Sequence, residues 1–234
     1  MNNNLLQIKI KQRLNKLASL DYDNIECWQI AEAFNKAQIE WSRRQIMGRN
    51  TEQAGAEQTV RKVDDVQNLL TTINLSFTKA NGYYQTQPLP DNYLEYHKID
   101  ILANKDCCPD PKDMIVYLVE EQNSSILLRD ELRKPNFEWA ETFCTVVDNT
   151  IKVYTNNEFD VNEIKLLYYR QPTKIRIINC GDPYTGGISG IDVPCEFRDD
   201  IAEILVDSAA SIIAGDIESF NQYTRASQNS ETNT

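Results

Sequence analysis

The sequence predicts an α+β fold. An N-terminal helical hairpin and a long C-terminal helix form one helical layer, and an antiparallel β-sandwich or small β-barrel module is inserted between them. Three observations predict it. Apolar residues recur at spacings of three and four at both ends of the chain. In the middle they recur at every second position. Turn-forming residues cut that middle into short runs. At 234 residues the chain has ample length for a core.

The first helix takes Leu5, Leu6, Ile8, Ile10, Leu14, Leu17 and Leu20 as its apolar positions. Lys9, Lys11, Arg13 and Lys16 lie between them, with no acid among residues 1–20. Asp21–Asn24 breaks the pattern. Asp23, three residues before Glu26, has the spacing at which two side chains can satisfy orphan backbone N–H groups at a helix start. Ile25, Trp28, Ala31, Phe34, Ala37 and Trp41 then define a second helix to about Met47, stopped by Gly48. Trp28, Phe34 and Trp41 share its stripe and read as core. Residues 48–58 read as loop. Val60, Val63, Val66 and Leu70, reaching towards Ile73, suggest a third helix.

The texture changes near Thr71. Ile73, Leu75 and Phe77 alternate as in a half-buried strand, and Gly82 and Gln87–Asp91 act as turn punctuation after it. Further strands are expected at Asp113–Glu120, Ser125–Leu128, Phe137–Val147, Thr150–Thr155, Glu163–Arg170 and Lys174–Ile178. Asp148-Asn149 and Asn156-Asn157 read as turns, and Pro135 and Pro172 as strand ends. Residues 179–194 hold four of the eight glycines and read as loop. The last helix should begin near Cys195 and run along Phe197, Ile201, Leu205, Ile212, Ile217 and Phe220. The expected divisions are a helical part at 1–72, a β-rich module at 73–180, a loop and terminal helix at 181–225, and a polar tail at 226–234.

Composition limits the chemistry. Lys and Arg total 24 against 35 Asp and Glu, a net charge of −11, which is unlike a protein that coats DNA. The charge is uneven along the chain. Residues 91–163 hold 16 acids against 7 bases, whereas Arg43, Arg44 and Arg49 join the lysines of the first helical quarter. A basic helical face either docks an acidic neighbour or is simply solvated. Apolar runs fall far short of the ~20 residues of a spanning helix, and Met1–Leu5 is no secretory h-region. His97 is the one histidine, so a Cys–His dyad would depend on tertiary proximity. The six cysteines (Cys27, Cys107, Cys108, Cys144, Cys180 and Cys195) contain no C-x-x-C and read as free thiols. The acid doublets Asp64-Asp65, Glu120-Glu121 and Asp199-Asp200 read as solvated faces. Gly186–Gly190 lacks the lysine and the immediate helix start of a phosphate cradle. No catalytic residue, cofactor or metal site is expected.

Three segments carry a resemblance. Gln87-Pro88-Leu89-Pro90-Asp91-Asn92-Tyr93-Leu94 leads into the β-module. Leu166–Ile175 contains Tyr168-Tyr169-Arg170-Gln171-Pro172. Val193-Pro194-Cys195-Glu196-Phe197 runs into Ile201–Ala210. Together they resemble the head–tail connector ring or adaptor proteins of tailed bacteriophages, of the crAss-like podovirus type. The resemblance implies a structural virion protein forming a homo-oligomeric, typically twelve-fold ring below the portal and extending the DNA channel. It implies identical subunits, the portal and other tail or ring proteins as partners. It also implies double-stranded DNA that passes without sequence-specific binding, and assembly in the host bacterial cytoplasm. It carries over no active-site residue. Two other readings stay open. One is a receptor- or carbohydrate-binding β-module with Tyr83-Tyr84, Tyr93, Tyr96 and Tyr168-Tyr169 as stacking surfaces. The other is a hydrolase.

Overall fold

The structure is a computed structural model and describes residues 1–15, 25–47, 65–106, 108–181, 186–216 and 228. The elements run α1 (Asn3–Asn15), α2 (Cys27–Met47), β1 (Leu70–Asn74), β2 (Phe77–Lys79), β3 (Tyr83–Thr86), β4 (Tyr93–Lys105), β5 (Cys108–Leu118), α3 (Glu121–Leu127), β6 (Glu141–Val147), β7 (Thr150–Tyr154), β8 (Asp160–Arg170) and α4 (Asp199–Asp216). The chain divides into a helical unit, Met1–Asn68 with Pro172–Thr234, and a β unit, Leu69–Gln171. The fold is mixed α and β, as expected.

In the helical unit the buried positions follow the helical period. Leu6, Ile10 and Leu14 face inward on α1, while Leu5 and Ile8 are exposed. Phe34, Ala37 and Trp41 are buried on α2, and Trp41 meets the Phe197 ring edge-on at 5.2 Å. The Glu26 backbone N–H donates to Gln29 Oε1, which secures the start of α2. Asp23 lies outside the described residues. Ile201, Leu205, Ala209 and Ile213 are buried along α4. The helix starts at Asp199 rather than near Cys195, with Asp199 and Asp200 in its first turn, where carboxylates suit the dipole. Ile217 and Phe220 lie outside the described residues.

Lys174–Ile178 joins no sheet, contrary to expectation. Ile175 and Ile177 are buried and Lys174, Arg176 and Ile178 exposed, so the segment is extended. Its backbone is satisfied elsewhere. Asn35 Oδ1 accepts from the Ile175 N–H at 2.8 Å, and Asn35 Nδ2 donates to the Ile175 carbonyl. Arg176 then pairs with Val193, and Ser189 bonds Asn179 and Cys180, which makes 174–193 an irregular hairpin. The expectation of free thiols fails for two cysteines. Cys27, at the start of α2, is disulfide-bonded to Cys180 in this hairpin, with Cα atoms 5.8 Å apart.

The β unit is one eight-stranded sheet in the order β1-β8-β4-β5-β6-β7-β3-β2. Only Leu75 and Ser76 separate the two edge strands. The Leu75 N–H bonds Ile164 of β8, and the Ser76 carbonyl takes Gln87 after β3. One segment thus serves both edges, which can be no more than about 11 Å apart. The sheet therefore curls into a half-barrel around Ile99, Ile101, Cys144, Ile151, Val153, Ile164 and Leu166.

Four expectations need correction here. The sheet is not wholly antiparallel, because β5 and β6 pair parallel and are joined by a crossover through α3. Ser125–Leu128 is not a strand, since Glu121–Leu127 is α3. β6 begins at Glu141 rather than Phe137. The reason is that Asn136 Oδ1 caps the Glu138 and Trp139 N–H groups, and Ala140 turns at φ 54°. The third helix does not reach Leu70, where β1 starts, and Val60 and Val63 lie outside the described residues. The turns at Asp148-Asn149 and Asn156-Asn157 are found, with positive φ at all four residues.

Candidate functional site

Among the described residues the chemistry-bearing side chains do not converge. His97 is exposed and stands edge-on to Tyr169 at 5.4 Å. Cys144 is fully buried, and burial pushes its thiol up to about 12, with Tyr96 as its hydrogen-bond partner. Burial also raises the Cys195 thiol. Neither sulfur is poised as a thiolate. The acid doublets are engaged in ion pairs: Asp65 and Asp200 both take Arg198, and Asp199 takes the Met1 amino group. Among the described residues, no group of three potential ligands gathers to hold a metal ion. No helix among them is long and apolar enough to cross a membrane. A groove of about 390 Å³ between α2 and α4 has Trp28, Ala33 and Ile212 on its walls and Glu32, Lys36 and Asp216 at its rim.

The basic face of α1 is largely spent inside the unit. Lys9 pairs with Glu203, and Arg13 Nε reaches Asp207 Oδ1 at 2.5 Å, both acids being on α4. Lys16 and Arg49 lie outside the described residues. Arg43 and Arg44 are exposed at the far end of α2.

Most of the tyrosines expected as stacking surfaces are packed inward. Tyr84, Tyr168 and Tyr169 are buried. Tyr93 and Tyr96 lie against the barrel core, and burial raises both phenols, Tyr93 to about 12. Tyr83 is half-buried and lies beside Tyr154 at 5.9 Å.

The outer face of the sheet has three zones. On β4 and β8 it is charged, with ion pairs Lys98–Asp100 and Lys165–Glu163. On β6 and β7 it lies under α3. There the Glu121 carboxylate takes Thr145 Oγ1 at 2.5 Å, Lys152 Nζ at 2.8 Å and the Tyr154 hydroxyl at 3.1 Å. Burial pushes this carboxyl up, but the three donors outweigh it and hold it below the usual glutamate range. The ring of Tyr154 in turn stacks on Phe143 at 4.7 Å.

Between these zones, β5 presents Ile115 and Tyr117, each more than half exposed. They are opposite Glu141 and Phe143 in the register with β6, and exposed Trp139 precedes Glu141 by two residues. The sequence pattern predicts this strand but not which of its faces is left open. The signal was present: Met114–Leu118 is apolar at all five positions. Such a run marks a strand covered on both faces. Here Met114 is buried in the barrel while Ile115 and Tyr117 face solvent. Among the described residues, seven of the thirteen exposed large hydrophobic side chains fall between Ile115 and Val146. The helical unit holds a second group: Leu5 and Ile8 on α1, and Ile178, Ile188 and Ile191 on the hairpin. Asn3 ties these two elements together, donating to the Arg176 and Val193 carbonyls and to Asp192.

No family model matches the chain, and no curated protein is similar to it.

Proposed function

We propose that the chain is a structural virion protein. It forms a homo-oligomeric ring below the portal, joins head to tail and extends the DNA channel. The observation that carries this reading is the uncovered outer face of β5, a strand whose five-residue apolar run suits a doubly covered position. A protein that acts through its neighbours leaves such surfaces for them to cover. The dispersal of its titratable side chains into separate structural pairs agrees with a scaffold role. The net charge of −11 suits a wall along which DNA slides without sticking. The portal and tail partners rest on the resemblance of Leu89-Pro90-Asp91, Tyr168–Pro172 and Val193–Phe197 to the connector proteins. In the structure these segments lead into β4, close β8 and precede α4.

The test is negative-stain microscopy of the purified chain mixed with the portal from the same genome. Expected is a ring of many copies seated on the portal. A chain that remains monomeric and binds neither portal nor tail protein overturns the proposal.

A further inference from the structure

We infer that the outer face of β5 in one copy docks on the α1–hairpin face of a second copy, head to tail. The inference rests on the self-assembly in the reading above and names the surfaces that carry it. The first face is Ile115, Tyr117 and Trp139. Its unpaired charged neighbours are acidic: Asp113 lies on the same strand face, Glu141 opposite Ile115 on β6, and Glu138 beside Trp139, while on the β4 side Asp100 opposite Ile115 is neutralised by Lys98. Tyr117 donates to Glu141 at 3.4 Å, and no ion pair engages Asp113 or Glu138 among the described residues. The second face is the exposed side of the hairpin. There the Arg176–Val193 bridge sets a register that brings Ile178 towards Ile191. Leu5 and Ile8 extend it on α1, which Asn3 fastens to the hairpin.

Cations surround this second face. Lys174 and Arg176 alternate with the buried Ile175 and Ile177, so they share the exposed side with Ile178. Lys11 lies on α1. Among the described residues none of the three is in an ion pair, unlike Lys9 and Arg13. Among the described hairpin residues the one acid, Asp192, is already held by Asn3 and by the Ile178 N–H.

Two apolar faces with rims of opposite sign determine the mode of association. Pairing either face with itself would bring like charges together, which disfavours a two-fold dimer. Pairing one with the other buries apolar surface and matches the rims. Such a contact is heterologous, so each copy offers both faces and the assembly grows until it closes or forms a filament.

The experiment uses native mass spectrometry on the full chain and two variants. One carries Ile115→Asp with Tyr117→Asp, and the other Ile178→Asp with Ile191→Asp. All four side chains are exposed, so both variants should fold, as checked by circular dichroism. The wild type should form oligomers, and each variant alone should associate about tenfold or more weakly. An equimolar mixture of the variants should give a dimer that grows no further, because each retains one intact face. Glu138→Arg should weaken assembly, and Arg176→Glu added to it should restore part of it. Continued assembly by either variant alone, or a mixture that yields no heterodimer, overturns the inference. A wild type that stays monomeric alone but joins the portal overturns this interface and leaves the portal reading standing.

Discussion

The helical unit is assembled from both ends of the chain, whereas the β unit is one uninterrupted segment. That difference governs what holds each together. In the helical unit, contacts between residues almost two hundred positions apart do the work, such as Arg13 with Asp207 and Asn3 with Val193. In the β unit, short turns join β2 to β3, β4 to β5 and β6 to β7, and one ten-residue segment, 70–79, links both sheet edges. The helical unit consequently depends on specific polar and covalent ties, and the β unit on a continuous ladder around an apolar core.

The comparison is most strongly challenged by Phe34→Ala. Phe34 is fully buried on α2, and its loss should cost about 3–5 kcal/mol. In urea titrations of a Trp28→Phe, Trp139→Phe background, the emission of Trp41 should shift to a lower midpoint, while the β-sheet circular dichroism keeps its own. A common shift of both signals would show that the units unfold as one.

Cys27→Ser comes next. The Cys27–Cys180 bond encloses the whole β unit in its loop. Under oxidising conditions the substitution should cost about 2–4 kcal/mol, read in the helical unit. Equal stability with and without reductant would mean that the non-covalent ties suffice.

Asp207→Asn removes the nearer of the two carboxylates that pair with Arg13, leaving Glu203 at 3.7 Å. The aspartate is buried but the arginine is partly solvated, so a loss of about 1–2 kcal/mol is expected in thermal melts. No change would place the α1–α4 contact on its apolar stripe alone.

The smallest effect belongs to the β unit. Glu121→Gln should cost about 1 kcal/mol near neutral pH, since the carboxylate is partly exposed. Its pKa is lowered in the folded state, so its contribution is present above the ordinary value of 4.5. It disappears as pH falls through the lower folded value. The wild type and variant should therefore converge in denaturant titrations under acid conditions. A gap that persists there would assign the effect to shape rather than charge.

Helices were the legible part of this sequence. The stripes on α1, α2 and α4 follow a period that solvent and core impose locally. β7 and β8 were legible for the same reason, with the Asn and Asp turns between strands. The longest strand, β4, was not. Leu94 is buried, but so are Ile99, Ile101 and Ala103, which have the opposite parity. Register shifts between Tyr93 and Glu95 and between Tyr96 and Lys98 reset the alternation, leaving His97 and Lys98 both exposed. The extended segment at 174–178 had a readable alternation but an unreadable partner. Its ladder is the side chain of Asn35, far away in sequence. α3 was misread because Ile126-Leu127-Leu128 looks like a strand, yet no α3 residue is buried. The helix is held by Glu121 instead. The outer face of β5 stayed hidden because an apolar run does not reveal which of its two faces the chain itself covers.

The division of the helical unit between the chain ends also sets an order of events at the ribosome. Leu70 is paired with Tyr169, so the first and last strands of the β unit lie side by side. The unit can close once Gln171 has emerged. α1 and α2 are made before the β unit and wait through its synthesis with Leu6, Phe34 and Trp41 uncovered. They can settle only when α4 arrives some forty residues later, as sequential folding of units during translation requires. The helices made before the β unit are thus completed after it, and a stall between Gln171 and Asp199 would leave their apolar stripes bare for the longest time.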